Sequence, residues 1–175
     1  MTPPYGPTLR QPDQTSCGAA CVVVARLLAS PDAEPTPQSF SREVLDTHRR
    51  LVGTVAPGGR AQLPWPSTLG TPPWAVAHAL RPIEDVGYGT RLARWSPSAA
   101  FATAATAVAQ HPVALYIGSS VMPRHVVLAV SAGPDGLSVY DPASGGLSTV
   151  GHHAFVSGKL GIAGWDVPWF VVLPR

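Results

Sequence analysis

The sequence predicts an α+β fold, with helices over roughly the first 110 residues, antiparallel strands over the rest, and a cleft where the two lobes meet. Three observations carry that prediction. Capped, apolar, helix-compatible runs recur up to Gln110. Beyond it the runs shorten and are punctuated by turn residues, above all Gly133-Pro134-Asp135-Gly136. Finally, 175 residues that are 45% hydrophobic and 13% charged describe one globular domain spanning 1–175. A chain of that size buries roughly 70% of the surface it would expose when unfolded.

Taken in order, residues 1–16 read as an extended, proline-pinned arm. The first helix follows over about 17–29, with Thr15 or Ser16 as N-cap and Ser30-Pro31 as its stop. A second helix is expected over about 38–51, capped by Ser39 or Ser41 and ended by Gly53. Its apolar positions Phe40, Val44, Leu45, Leu51 and Val52 have loose helical spacing. From Thr54 to Pro73 the chain is rich in proline, and a loop of that length is usually functional or mobile. A short helix over about 73–80 then starts with proline in its first turn. Residues 88–95 alternate as a strand, and Ser96 opens an alanine-rich helix reaching about Gln110. Strands are expected at 113–117, 126–131, 138–140, 147–150 and 169–173.

Composition excludes several classes of function. The net charge is only +2 and no basic run exceeds Arg49-Arg50, so there is no nucleic-acid footprint. No apolar stretch approaches a membrane span, and the N-terminus lacks the pattern of a secretory signal. A cytoplasmic protein is expected, or a mature or excised piece of a larger one. The two cysteines, Cys17 and Cys21, lie four apart on one predicted helix, where a disulfide would distort the first turn. Two free thiols fit a reducing compartment. There is no CxxC pair, and His152-His153 has no partner cluster, so neither a metal nor a cofactor is expected.

The chemistry concentrates in Gln11-Pro12-Asp13-Gln14-Thr15-Ser16-Cys17-Gly18. Cys17 falls at a predicted helix N-terminus, where free N–H groups and the dipole favour a thiolate. Gly18 is expected to leave the space beside the sulfur open to a substrate backbone. Gln11, six positions upstream, can fold back to form an oxyanion hole with the Cys17 N–H. Taken alone, such a cysteine is more commonly a small core residue; a suitably placed base changes the reading. His125 supplies one, standing just before the apolar strand Val126-Val127-Leu128-Ala129-Val130. Folding the hairpin about residues 133–134 brings it opposite 141 or 142, where Asp141 stands. The carboxylate is expected to accept a hydrogen bond from Nδ1–H and fix the tautomer, leaving Nε2 for the thiol. His48, His78, His111, His152 and His153 lack such support and read as structural or solvent-facing.

The Gln11-x5-Cys17-Gly18 motif, with Ala19-Ala20-Cys21 after it, resembles the active-site signature of the papain-like cysteine peptidases that trim double-glycine leaders from bacteriocin precursors. Arg124-His125-Val126-Val127-Leu128-Ala129-Val130 and Val139-Tyr140-Asp141-Pro142-Ala143-Ser144-Gly145 are similar to that family's His-bearing strand and its Asp-Pro-x-x-Gly return. The resemblance covers the first 30 residues and roughly 110–175. It implies a papain-like two-lobe fold with Cys17 as nucleophile, His125 as base, Asp141 as its orienter and Gln11 as oxyanion donor. It also implies a peptide or protein substrate, and packing rather than chemistry for Cys21. Neither the membrane domain nor the ATPase of the exporters is in this chain, so a stand-alone relative is expected. Residues 54–95 match nothing in that family. There Trp65, Trp74 and Trp95 form either a recognition surface or ordinary helix packing.

A cysteine peptidase is therefore the first expectation. Papain-like folds also include glutamine deamidases, transglutaminases and acyltransferases, some acting as toxin domains, and these share the thioester chemistry. A non-catalytic binding module that keeps the fold is the third reading.

Overall fold

A computed structural model describes residues 4–30, 32–53, 65 and 70–175. The long loop expected over 54–73 lies, apart from Trp65 and residues 70–73, outside the described residues. After a 3-10 turn at Pro7–Leu9 come α1 (Cys17–Ala29), α2 (Pro37–Val52), α3 (Pro73–Glu84), β1 (Tyr88–Leu92) and α4 (Pro97–Ala107). The second half holds β2 (Val113–Gly118), β3 (Pro123–Gly133), β4 (Gly136–Tyr140), β5 (Leu147–Val150), α5 (His152–Ser157) and β6 (Val167–Pro174). The fold is α+β, with helices packed on an antiparallel sheet of order β1-β6-β2-β3-β4-β5.

Strand alternation divides the core in two. Ala114, Tyr116, Val126, Leu128 and Val172 face α1, α2 and α3. Their neighbours Leu115, Ile117, Val127, Ala129 and Val171 face the opposite side, with Phe101 of α4 and Phe155 of α5. The sheet's central strands are thus buried on both faces, which is why 113–117 and 126–130 read as unbroken apolar runs. α4 and α5 cover this far face, opposite α1, α2 and α3. The sequence pattern also assigns no helix to 152–157, a segment of only 6 residues.

α1 is the buried axis of the near face, with every residue from Cys17 to Ala25 inside. A helix that is apolar all round belongs in a core. α2 is amphipathic and caps at Thr36, ahead of the expected Ser39 or Ser41. Pro37 explains the shift: it fits the first helical position and pushes the residue before it into the extended region. α3 runs four residues past its expected end, through Pro82, to a left-handed Asp85. Among the described residues no helix is long and apolar enough to cross a membrane.

The N-terminal arm is tied to the turn after β4, an arrangement that matters for the site. Gly6 N–H donates to the Gly145 carbonyl at 2.8 Å, Gln11 N–H to the Pro142 carbonyl at 2.9 Å, and Tyr140 Oη to the Leu9 carbonyl at 2.6 Å. Gly145 has φ +76, and a Cβ there would lie 2.0 Å from the Gly6 carbonyl oxygen. Only glycine permits that approach.

Candidate active site

Asp13 organises the loop that delivers the cysteine. Its Oδ1 accepts hydrogen bonds from the Thr15 N–H (2.8 Å), the Ser16 N–H (2.9 Å) and Thr15 Oγ1 (3.1 Å), an Asx turn that bends the arm into α1. Ser16 occupies the N-cap position, yet its side chain caps nothing, and its Oγ is buried without a partner. Neither Thr15 nor Ser16 therefore plays the capping role expected of it. The Asp13 turn already holds the chain, so no cap is needed to fix the entry angle. The first intrahelical bond runs from Ala20 N–H to the Ser16 carbonyl, leaving the donors of residues 17–19 outside the helical ladder.

Gly18 departs from expectation as well. It is fully packed, and a Cβ there would meet Thr71 Cβ at 2.7 Å. Its smallness admits Thr71 rather than a substrate. Thr71 is in turn held by Tyr116 Oη, which donates to its carbonyl at 2.9 Å, and lies 3.5 Å from His48 Nδ1 through its hydroxyl. His48 is buried, and burial lowers its pKa, so it serves as a neutral packing group.

His125 and Asp141 meet as the hairpin geometry anticipates, but through the other ring nitrogen. His125 Nε2 lies 2.7 Å from Asp141 Oδ1. A carboxylate only accepts, so Nε2 carries the proton and Nδ1 is the nitrogen left for Cys17. Reach explains the reversal. β4 ends at Tyr140, opposite Leu128, so continuing that register puts residue 125 across from 143. Asp141 therefore stands diagonal to the histidine and meets the far side of the ring. Asp141 is itself fixed by Ala143 N–H (2.9 Å) and Ser144 Oγ (3.3 Å).

Electrostatics follow from this packing. His125 and Asp141 are each 6% exposed, and Cys17 3%. Burial opposes a charged imidazole, but the hydrogen bonds to Asp141 and to Cys17, reinforced by the charges of both, carry His125 up to about 9. Burial would likewise raise the Asp141 carboxyl; the bonds from His125, Ala143 and Ser144 and the imidazolium charge hold it below its ordinary range. Cys21 is a different case. Burial, then the nearby Cys17 and Asp141, push its thiol well up, and its Sγ contacts the Val126 carbonyl at 3.6 Å.

Gln11 lines the same cavity as Cys17 and His125, about 390 Å³ in volume. Its Nε2 donates to the Asp13 carbonyl at 2.6 Å, and its Oε1 is buried without a partner. One of the two amide hydrogens is thus engaged and the other is free. A second cavity of about 270 Å³ adjoins Cys17 and His125 on another side, and both Trp65 and Trp74 line it. Trp95 does not, being 85% exposed elsewhere. The five remaining histidines line neither cavity; His111 pairs with Glu84 at 3.0 Å, and His152 contacts Ser98 and Phe101. Two positioning residues escaped the sequence reasoning. The Pro-Asp-Gln-Thr pattern is a signal for the Asp13 turn, whereas nothing local marks Thr71.

No protein-family model matches the chain, and no curated protein does. Among solved structures it is similar to the peptidase domain of Streptococcus ComA, a bifunctional ABC transporter involved in a quorum-sensing pathway. The identity is 15%, over 95% of this chain and 96% of that one, with a TM-score of 0.49.

Proposed function

We propose that this chain is a cysteine peptidase acting through Cys17, His125 and Asp141, with Gln11 as an oxyanion donor. The observation that carries the reading is the convergence at one cleft of three side chains chosen by residue type and spacing. They come from a helix start, a strand and a return turn far apart in sequence.

In this reading His125 already holds a proton at Nδ1, as the imidazolium that Asp141 and the sulfur favour, and the Cys17 sulfur attacks a peptide carbonyl carbon. The oxyanion that forms faces the Cys17 N–H and the free N–H of Gln11. The His125 imidazolium, held by Asp141, gives its Nδ1 proton to the departing amine as the C–N bond breaks. Water, deprotonated by the same nitrogen, then hydrolyses the thioester and releases the sulfur.

Peptide mixtures incubated with the protein and analysed by mass provide the test. Cleavage by wild type and none by Cys17→Ala is the expected result. Intact peptides from wild type, or equal cleavage by both, sink the hydrolase reading. A mass gain of about one unit on a glutamine, or an amine adduct, would point instead to deamidation or acyl transfer at the same thiol. Equal, slow alkylation of Cys17 and Cys21 would point to a binding module.

A further inference from the structure

Cys17 and His125 stand at the junction of two cavities of opposite character. The larger holds Gln11, Gln14 and Thr15, groups suited to the carbonyls and amides of a backbone. The smaller, about 270 Å³, is walled by aromatic rings. Trp65 meets Trp74 edge to face at 5.2 Å between centroids, and Tyr116 meets Phe170 likewise at 6.2 Å. Tyr116 and Phe170 are register partners on β2 and β6, and Trp74 opens α3, so most of the wall stands on rigid elements. The Tyr116 hydroxyl is already engaged with the Thr71 carbonyl, which leaves its ring as the contact surface. Of the described residues lining this cavity only His125 and Arg124 carry charge, and Arg124 is exposed.

Size and chemistry then fix the occupant. An apolar cavity of about 150 Å³ already takes a benzene ring, so this one has room for a phenyl or indole side chain. A glycine beside the scissile bond would leave those walls wet and gain nothing from them. We propose that the cavity receives a large apolar side chain, aromatic by preference, of the peptide cut at Cys17. This selects against substrates that present only glycine there. The inference rests on the peptidase reading.

Alkylation separates the two ideas. N-methyl and N-phenethyl chloroacetamide, each normalised to its rate with a free thiol, are compared by mass spectrometry at Cys17. The phenethyl reagent is expected to react about tenfold to a hundredfold faster. That advantage should collapse in Trp74→Ala. It should also collapse in Thr90→Phe, which fills the cavity from an exposed position on β1 and removes no core side chain. Equal rates for the two reagents, or an advantage that survives in Thr90→Phe, overturn the proposal. A digest of mixed peptides should also show a large apolar residue beside the cut, and cuts without that enrichment overturn it too. Selective phenethyl labelling without any peptide cleavage would instead overturn the hydrolase reading and uphold the cavity's preference.

Discussion

The two longest helices of the N-terminal half begin in opposite ways. At α2 the Thr36 hydroxyl accepts from Ser39 N–H at 3.1 Å while Ser39 Oγ accepts from Thr36 N–H at 2.9 Å. Both donors are satisfied reciprocally, out in solvent. At α1 a serine stands in the same place, buried, and caps nothing. Uncapped donors at a helix start are a cost wherever stability alone is at stake. Here they lie beside a thiol in a cleft, where an oxyanion would find them. The contrast teaches that the omitted cap belongs to the proposed site, with the Asp13 turn doing the work of chain entry. Damage at α1 should therefore appear in rate, and damage at α2 in stability.

The sharpest version of that contrast lies across the cleft from α1. Asp141→Asn keeps the shape but cannot hold His125 in the same protonation state, and kcat/KM for peptide cleavage should fall about 10²- to 10⁴-fold. Thr36→Ala should leave kcat/KM unchanged. Comparable losses in the two variants would erase the distinction between the helix starts.

The same pair predicts a pH dependence of folding. His125 is raised from an ordinary 6.5 to about 9, so its contribution is complete below pH 6.5 and is lost as pH rises through 9. Asp141 is lowered, so its contribution is present above the ordinary carboxylate range and is lost as acid titrates it in the fold. Urea unfolding followed from pH 6 to 10 should show His125 withdrawing about 3 kcal/mol across that window, with the raised Cys21 thiol adding to the loss at its alkaline end. Asp141→Asn should flatten the slope; an unchanged slope would detach His125 from the carboxylate.

Gly18→Ala comes next. Its Cβ would sit 2.7 Å from Thr71 Cβ, and Thr71 is pinned from the other side by Tyr116. Overpacking of this kind costs about 1–3 kcal/mol, read as a lower unfolding midpoint. Because the strain falls one residue from Cys17, reactivity of the thiol should fall with it. A stable, fully reactive Gly18→Ala would show that the helix start adjusts freely.

These cases also mark what the sequence made legible. Periodicity and punctuation found α1 at both ends and β5 at both ends, because apolar runs bounded by serine, proline and glycine are local signals. The meeting of His125 with Asp141 was legible because one short turn fixes a hairpin register. Which ring nitrogen does the meeting was not, since it depends on an irregularity between Ala129 and Ser131 and on where β4 stops. The packing of Gly18 on Thr71 joins positions 53 apart in sequence, and no pattern in either segment announces it. The side of the sheet taken by α4 was equally hidden, because an alanine-rich helix satisfies either face.

The smallest predicted effect tests the opening contrast most directly. Thr36→Ala removes a hydroxyl that satisfies a backbone donor and should cost about 1 kcal/mol. Ser16→Ala removes a hydroxyl that is buried and bonded to nothing. Losing an unpartnered polar group relieves a desolvation penalty, so this change should be neutral or stabilise by about 1 kcal/mol. Thermal unfolding of the two variants beside wild type should therefore move in different directions, although both replace the side chain at a helix N-cap. If Ser16→Ala destabilises as much as Thr36→Ala, the serine is holding the first turn of α1 after all, and its donors are not reserved for anything else.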